Sequence, residues 1–314
     1  MKHTIKIGTR DSPLALWQAE IVQQLLAEQG VASELVPVKS EGDLDLVTPL
    51  YAMGVEGVFT KTLDAYLLSG KIDIAVHSMK DVPTQLAQGI VPAAILKRAA
   101  VQDIFIPNAN KPGISSINKG TDKSHSFLIA TGSVRRKAQW RHHFPDTVFE
   151  NLRGNVQTRL GKLVESRWNG IIMAKAGLER VGLLPAQYEA IDWMLPAPAQ
   201  GAIMVVCREG DLQTFAAAHP LNDTTTELCT GIERDFLKTL LGGCSTPISA
   251  LAEVKGNQLV FKGNILSPDG EDKLSIEKEI PVTEAGSFGV SAAKELLAGG
   301  ADKIIEKIKA QQDK

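Results

Sequence analysis

The sequence predicts an α/β protein with more than one domain, in which two α/β units precede a smaller α+β unit. A chain of 314 residues is longer than a typical domain of roughly 100–200 residues. Strands and helices alternate over most of its length, a pattern typical of a mostly parallel sheet with helices on both faces. From Asp223 the pattern changes to a helix, three strands and a helix, which indicates an α+β unit.

The first unit is expected to begin with a strand at Thr4–Gly8 and a helix at Pro13–Gln29. Ser12 can accept a hydrogen bond at the N-terminus of this helix, proline suits the first turn and Gly30 suits the end. The unit continues with the strand Val31–Val38, the helix Thr60–Ser69 and the strands Ile72–His77 and Ile90–Leu96.

The pattern restarts after the polar stretch Asn108–Ser126. Each of three further strands leads into a helix: Phe127–Ala130, Val148–Leu152 and Ile171–Ala174. The apolar strand Ala202–Cys207 can return to either sheet, and we assign it to the first. The α+β unit is expected to end in a helix at Val290–Ala310. We therefore expect a first domain of residues 1–100 with 200–220, a second of 101–199 and a third of 221–314.

The overall charge and the cysteines limit the possible classes of protein. A formal net charge of −2 argues against a general nucleic-acid or membrane-surface binder, because such proteins usually carry a basic excess. Apolar runs fall well short of the ~20 residues that span a bilayer, and the first ten residues lack the apolar core of a signal peptide. Three cysteines at unpatterned spacing imply no disulfide framework. We expect a cytoplasmic monomer without a metal.

Arginines are concentrated at two strand-to-helix junctions. Seven of the eleven arginines lie between Arg135 and Arg180. Helix N-termini favour anions, and guanidinium groups add bidentate donors for carboxylate or phosphate. The alternative is that these arginines simply lie on helix surfaces, and the pattern does not separate carboxylate from phosphate. No P-loop or GxGxxG pattern supports a nucleotide. The residues concerned are Arg135, Arg136, Arg153 and Arg159, with Arg10 at a similar junction in the first unit.

Two further residues are candidates for chemistry. Asp81 follows a buried strand and precedes Val82-Pro83, so it lies in a loop at the ligand-binding end of the predicted sheet. Cys244 follows two glycines just beyond a predicted helix. Taken alone, each has a more ordinary interpretation, a surface aspartate paired with Lys80 and an incidental cysteine. The pair His77-Ser78 does not indicate a hydrolase, because neighbours in an extended chain point to opposite faces and the GxSxG pattern is absent.

Six short motifs, in this order, make the chain resemble the porphobilinogen deaminase (hydroxymethylbilane synthase) family over essentially its whole length. Each motif is short, but their order makes the resemblance highly specific. The motifs are Gly8-Thr9-Arg10 with Ser12–Gln18, His77–Pro83, Ser133–Arg136, Arg153–Val156 with Thr158–Leu160, Gln200–Ala202 and Gly242–Cys244.

The resemblance implies two periplasmic-binding-protein-like α/β domains around a cleft plus a smaller α+β C-terminal domain. It also implies a dipyrromethane cofactor joined by a thioether to Cys244. The implied enzyme is a transferase of tetrapyrrole (heme) biosynthesis, which joins four porphobilinogen molecules with loss of ammonia to give hydroxymethylbilane. One rival interpretation is a non-catalytic two-lobed module that binds carboxylates or other anions. A second is a phosphate-handling transferase, which the missing phosphate motifs weaken.

The same resemblance assigns roles to individual residues. Asp81 is expected to be the catalytic acid/base and to hold the cofactor. The expected cofactor ligands are Lys80, Ser78, Ser133, Arg135, Arg136 and Arg159; the expected substrate ligands are Arg10, Ser12, Gln18, Arg153 and Arg180; and Phe59 and Lys61 are expected near the cleft mouth. The chain departs from the family at Glu56, where a lysine is usual in a glycine-rich lid loop, and this leaves the behaviour of the lid open.

Overall fold

The fold is described from a computed structural model. It covers residues 4–39, 60–109, 111, 113–114, 127–240 and 246–312. Over these residues, none of the helices combines the length and the hydrophobicity needed to cross a membrane.

The elements of the first sheet and its helices are β1 (Ile5–Arg10), α1 (Pro13–Glu28), β2 (Ser33–Val38), α2 (Lys61–Leu68), β3 (Ile74–Ser78), β4 (Ile90–Ile95), β10 (Ile203–Arg208) and α6 (Leu212–Ala218). The five strands lie in the order β2-β1-β3-β10-β4. β1 pairs in parallel with β2 and β3, whereas β10 runs antiparallel between β3 and β4. The strand at Ile203–Arg208 thus returns to the first sheet.

Both faces of the first sheet are buried, which explains its near-continuous apolar strands. Along β10, Ile203 and Val205 pack into one apolar cluster, and Met204 and Val206 pack into another on the opposite face. This alternation follows from the two-residue period of a strand. Helix α1 begins as predicted, since the side chain of Ser12 accepts a hydrogen bond from the backbone N–H of Ala15.

The elements of the second sheet and its helices are β5 (Asp103–Pro107), β6 (Leu128–Ala130), α3 (Val134–His143), β7 (Val148–Glu150), α4 (Val156–Glu165), β8 (Gly170–Ala174), α5 (Lys175–Arg180) and β9 (Glu189–Ala190). This sheet also has five strands, in the order β7-β6-β8-β5-β9. Its parallel strands β7, β6 and β8 each lead into a helix, and β5 pairs antiparallel with β8. The strand β5 was not predicted from the sequence.

The C-terminal part consists of a three-stranded antiparallel sheet packed against helices. The prediction of a single closing helix at Val290–Ala310 is wrong. The backbone of Gly300 adopts φ +98°, a conformation outside the right-handed helix, and this interrupts the helix at Leu297–Ala301. L-residues rarely reach that region, whereas glycine does so readily. The elements are α7 (Thr224–Leu240), β11 (Ile248–Lys255), β12 (Gln258–Leu266), β13 (Lys273–Pro281), α8 (Phe288–Leu296) and α9 (Asp302–Gln312). The predicted α/β class with an α+β C-terminal part is confirmed.

A buried carboxylate on α7 joins this C-terminal part to the two chain segments that cross between the sheets. Both terminal nitrogens of Arg98 donate to Glu233, at 2.6 and 2.9 Å. The backbone N–H groups of Ala199 and Ala252 also donate to it, at 2.6 and 2.8 Å. Arg98 follows β4, and Ala199 precedes β10. A single side chain therefore fixes both crossover segments against helix α7 and strand β11.

We predict that Glu233→Gln destabilises the fold strongly. A neutral amide cannot accept from all four donors, and Arg98 would remain buried without a full counter-charge. Breaking one partner of a buried ion pair costs about 3–5 kcal/mol, which urea titration followed by circular dichroism would measure. The control is Glu277→Gln, whose ion pair with Lys262 is exposed and should contribute less than about 1 kcal/mol. Equal effects of the two substitutions would contradict the prediction.

Candidate active site between the two sheets

The turn that follows β3 carries two of the predicted site residues, Lys80 and Asp81. Met79–Asp81 forms a single 3₁₀ turn, and the Met79 side chain is buried beneath it. The Lys80 ammonium lies 3.4 Å from the side-chain oxygen of Gln200. Burial lowers the pKa of Lys80 to about 8, a shift that Arg136 and Arg135 reinforce and that Asp81 and Asp103 oppose. Asp81 accepts no hydrogen bond from any other described residue, so both its oxygens remain available.

A small cavity of about 70 Å³ adjoins this turn on the first sheet. Gln18 lies on α1, and its side-chain nitrogen donates a hydrogen bond of 2.9 Å to the Ser78 hydroxyl. His77 is neutral at pH 7, because burial lowers its pKa to about 4 and the positive charge of Arg10 acts in the same direction. The predicted residues that line the cavity are Arg10, Ser12, Gln18, Ser78 and Asp81.

The first arginine junction of the second sheet encloses a buried carboxylate. Ser133 begins α3 by accepting a hydrogen bond from the backbone N–H of Arg136. The guanidiniums of Arg135 and Arg136 both bind Asp103, at 2.6 and 2.7 Å. Burial alone would raise the pKa of Asp103, but the two guanidiniums outweigh it and hold the pKa far below its usual range. Part of the donor capacity of Arg135 and Arg136 is thus used inside the protein.

The second arginine junction lies at the end of β7. Asn155 begins α4 by accepting a hydrogen bond from the backbone N–H of Thr158. The Nε of Arg159 donates to the carbonyl of Gly154 at 2.7 Å, which turns its guanidinium back along the helix N-terminus. The pKa of Arg159 is lowered to about 10, mainly by burial; Arg136, Arg153 and Arg10 act in the same direction, and Asp81 opposes them. Groups from both sheets therefore act on this one side chain.

Together these side chains form a site with excess positive charge. Counted over the described residues alone, the groups that act on Lys80 and Arg159, with those two included, comprise six cations and two carboxylates, Asp81 and Asp103. Carboxylate or phosphate ligands would compensate this excess. We call the six cations the cationic cluster: Arg10, Lys80, Arg135, Arg136, Arg153 and Arg159.

Two residues of this site were not expected to act there. Asp103 begins the strand β5, and an acidic residue before the apolar run Ile104–Ile106 was the available signal. The Gln200 side chain donates to Asp103 at 3.0 Å and accepts from Lys80, so it bridges the two sheets. Its motif drew attention, but spacing along the chain did not reveal these partners.

Other predicted residues lie away from the cluster or outside the described residues. Arg180 donates to the carbonyl of Gly201 at 2.6 Å and lies 5.7 Å from the Trp17 ring, beside a separate cavity of about 300 Å³. Lys61 is exposed at the start of α2. Phe59, Cys244 and the segment with Glu56 lie outside the described residues, so their predicted roles remain predictions. Among the described side chains, no group of three or more His, Cys, Asp or Glu could hold a metal ion.

Comparison with known sequences identifies the family. Residues 5–216 match the family model described as porphobilinogen deaminase, dipyromethane cofactor binding domain, and residues 227–298 match its C-terminal domain. The porphobilinogen deaminase of Syntrophotalea carbinolica is 40% identical over 305 residues, which cover 96% of this chain and 95% of the relative. That of Desulforamulus reducens is 39% identical over 314 residues, with 99% of each covered.

Solved structures of lower similarity include the ligand-binding component of an ABC-type import system from Staphylococcus aureus. It is 15% identical at a TM-score of 0.40, over 76% of this chain and 75% of that one. The two family models together span the first sheet, the second sheet and most of the C-terminal part, and two relatives match over nearly their whole length. The chain belongs to the porphobilinogen deaminase family.

Proposed function

We propose that this chain is a transferase that condenses four porphobilinogen molecules head to tail, with loss of ammonia, and releases hydroxymethylbilane. The observation that carries the proposal is the position of Asp81, a carboxylate with no hydrogen bond from the described residues, beside the cationic cluster. Porphobilinogen bears an acetate and a propionate on its pyrrole ring, so the growing product needs cationic partners. It also bears an aminomethyl group, whose departure needs a proton donor.

The donor set fits a dipyrromethane cofactor. This group has two pyrrole rings, each with an acetate and a propionate, and its carboxylates would compensate the positive excess of the cationic cluster. When bound, it supplies the pyrrole carbon to which the first substrate is joined. We assign its carboxylates to Lys80, Ser133, Arg135, Arg136 and Arg159, with Ser78 near the turn. We assign its thioether to Cys244, four residues beyond the end of α7.

Within this assignment the cations hold their ligands as charged groups. A carboxylate bound beside Lys80 would raise the pKa of the ammonium from about 8 and keep it protonated. Arg135 and Arg136 remain charged, because Asp103 stabilises the charge of both. Each charged hydrogen bond to a carboxylate contributes about 1.5–3 kcal/mol. Binding at several such groups would fix the orientation of the pyrrole rings.

Asp81 is assigned the proton transfers. Its carboxyl group would donate a proton to the departing amine of the substrate. As a carboxylate it would then hold the pyrrole N–H groups and stabilise the positive charge that the departure of ammonia leaves on the substrate ring. It would also accept the proton that the newly joined ring releases. One side chain can serve all these steps, because they occur in sequence at the same place.

The incoming substrate is assigned to the side of the site that belongs mainly to the first sheet. Arg10, Ser12 and Gln18 line the cavity next to Asp81, and Arg153 acts on the same site electrostatically. Arg180 lies apart from the cluster, so we assign it an outer contact with the substrate or the growing chain. Lys61, with Phe59, is assigned to the mouth of the cleft.

We further propose that the enzyme is a cytoplasmic monomer. Cys207 and Cys229 are free and buried, which suits a reducing compartment. Among the described residues, the large exposed apolar side chains are few and lie on four different elements: Leu68, Val148, Val164 and Leu212. Size-exclusion chromatography with light scattering would test the monomeric state, since a dimer would double the measured mass.

We predict that Cys244→Ser removes the covalent adduct, which intact mass under denaturing conditions would detect. Without ligand carboxylates the cationic cluster repels itself, so the adduct-free protein should lose about 2 kcal/mol, or roughly 5 °C in Tm. Added sulfate should recover part of this loss. Cys207→Ala is the control and should keep the adduct. A wild-type chain with its bare sequence mass after incubation with porphobilinogen would exclude the proposed enzyme and favour the binding module.

We predict that Asp81→Asn keeps the adduct but lowers kcat about 10²–10⁴-fold, because an amide cannot exchange the proton. Measuring ammonia release and hydroxymethylbilane formation at saturating porphobilinogen checks the loss. The matched control is Asp146→Asn, an exposed turn aspartate that should leave kcat unchanged. Near-normal turnover of Asp81→Asn would show that another group transfers the proton.

A further inference from the structure

A side chain of the C-terminal part reaches the turn that carries Asp81. Arg234 lies on α7, next to the junction residue Glu233. One terminal nitrogen of its guanidinium donates to the carbonyl of Val82 at 3.0 Å and, more weakly, to that of Met79 at 3.4 Å. The other donates to the carbonyl of Pro83 at 2.6 Å. One guanidinium thus spans three carbonyl groups that flank Asp81 in sequence.

The turn needs such an external partner. A single 3₁₀ turn has weak internal hydrogen bonds and leaves carbonyl groups at its end without helical partners. In this turn a long internal bond of 3.2 Å runs from the N–H of Val82 to the carbonyl of Met79. The side toward the first sheet is fixed by the buried Met79 side chain and by its N–H, which donates to the carbonyl of Ala202. Arg234 adds a second anchor, through the carbonyl groups of the turn.

The position of Asp81 depends on this backbone. Its carboxylate accepts no hydrogen bond from other described residues, so no side-chain partner holds it in place. An unanchored turn would let the carboxylate shift relative to the cationic cluster. A displacement of about 1 Å at a reacting group can lower a rate by about 10²-fold.

We propose that Arg234 is a positioning residue for proton transfer, which holds the Asp81 turn against helix α7. This inference rests on the proposed function, in which Asp81 transfers the protons. Arg234 lies on α7, and Cys244 follows it in the sequence by ten residues, beyond the end of that helix. The clamp therefore fixes the proton-transferring turn to the helix that leads into the proposed attachment site. Arg234 itself is not among the residues that line the cavity with Arg10, Ser12 and Gln18.

The test compares Arg234→Met and Arg234→Lys with a matched arginine variant, Arg208→Met. Arg208 also donates to two backbone carbonyls, those of Leu67 and Ile72, but it lies at the end of β10 farthest from the residue that pairs with Ser78. For each variant, kcat and KM for porphobilinogen, Tm and the intact mass are measured. The mass shows whether the adduct is present before rates are compared.

We expect Arg234→Met to lower kcat about 10–100-fold with KM changed less than about threefold, since the effect falls on the reacting group and not on substrate binding. Arg234→Lys, which keeps the charge and one donor nitrogen, should recover part of the loss. Arg208→Met should lower Tm without this loss of kcat. A kcat of Arg234→Lys and Arg234→Met within twofold of wild type would overturn the proposal, as would an equal loss in Arg208→Met.

A double-mutant cycle separates positioning from a general effect on the fold. Asp81→Glu displaces the carboxylate by one methylene and should keep measurable turnover. If Arg234 acts through Asp81, the double variant Asp81→Glu with Arg234→Met should lose clearly less than the product of the single losses. Losses that multiply would show independent action and contradict the proposal. A wild-type chain that consumes no porphobilinogen would instead refute the proposed function, so the two failures are distinct.

Discussion

The carboxylate of Asp103 is the internal counter-ion on which the cationic site depends. Two buried guanidiniums at adjacent positions of α3 would repel each other, and removing them from water is costly. Asp103 makes the arrangement possible because its oxygens accept from Arg135, from two nitrogens of Arg136 and from Gln200. The acceptor lies on β5, between β8 and β9, so the counter-ion of the two guanidiniums is built into the second sheet itself.

The two carboxylates of the site have opposite environments, and the difference divides their roles. Asp103 is fully buried and its oxygens are saturated with donors, so it cannot move a proton during turnover. Asp81 lies on a turn, is only half-buried and accepts no hydrogen bond from the described residues. Because Asp103 and Asp81 are the two carboxylates that act on Lys80 and Arg159 among the described residues, they do not balance the six positive charges of the cationic cluster. One carboxylate stabilises the fold, and the other remains available to a ligand.

Local rules predicted the parts of the site that depend on local sequence. Ser12 begins helix α1 as expected, and Ser133 begins α3 by the same kind of hydrogen bond, because a helix start is set by a few neighbouring residues. The same rules could not find Asp103, which is separated by 32 residues from Arg135, or Arg234, which is separated by 152 from Val82. Such partners are fixed by the path of the chain between sheets. Spacing could not determine that path, which is also why the sheet to which β10 returns was open.

The crossover segments show how this path is stabilised at its most strained point. Ala199 is the one non-glycine residue with a positive φ, +61°, among the described residues, a conformation that costs an L-residue about 1–2 kcal/mol. Its N–H donates to Glu233 at 2.6 Å, and a hydrogen bond to a buried charge can offset that cost. Two residues on, a Cβ at Gly201 would lie 2.7 Å from the carbonyl of Ala99, so the two crossovers touch through their backbones. Gln200, between these two positions, is thereby held where it can reach both Asp103 and Lys80. The strain at Ala199 thus belongs to the same arrangement that brings the Asp81 turn of the first sheet to the arginines of the second.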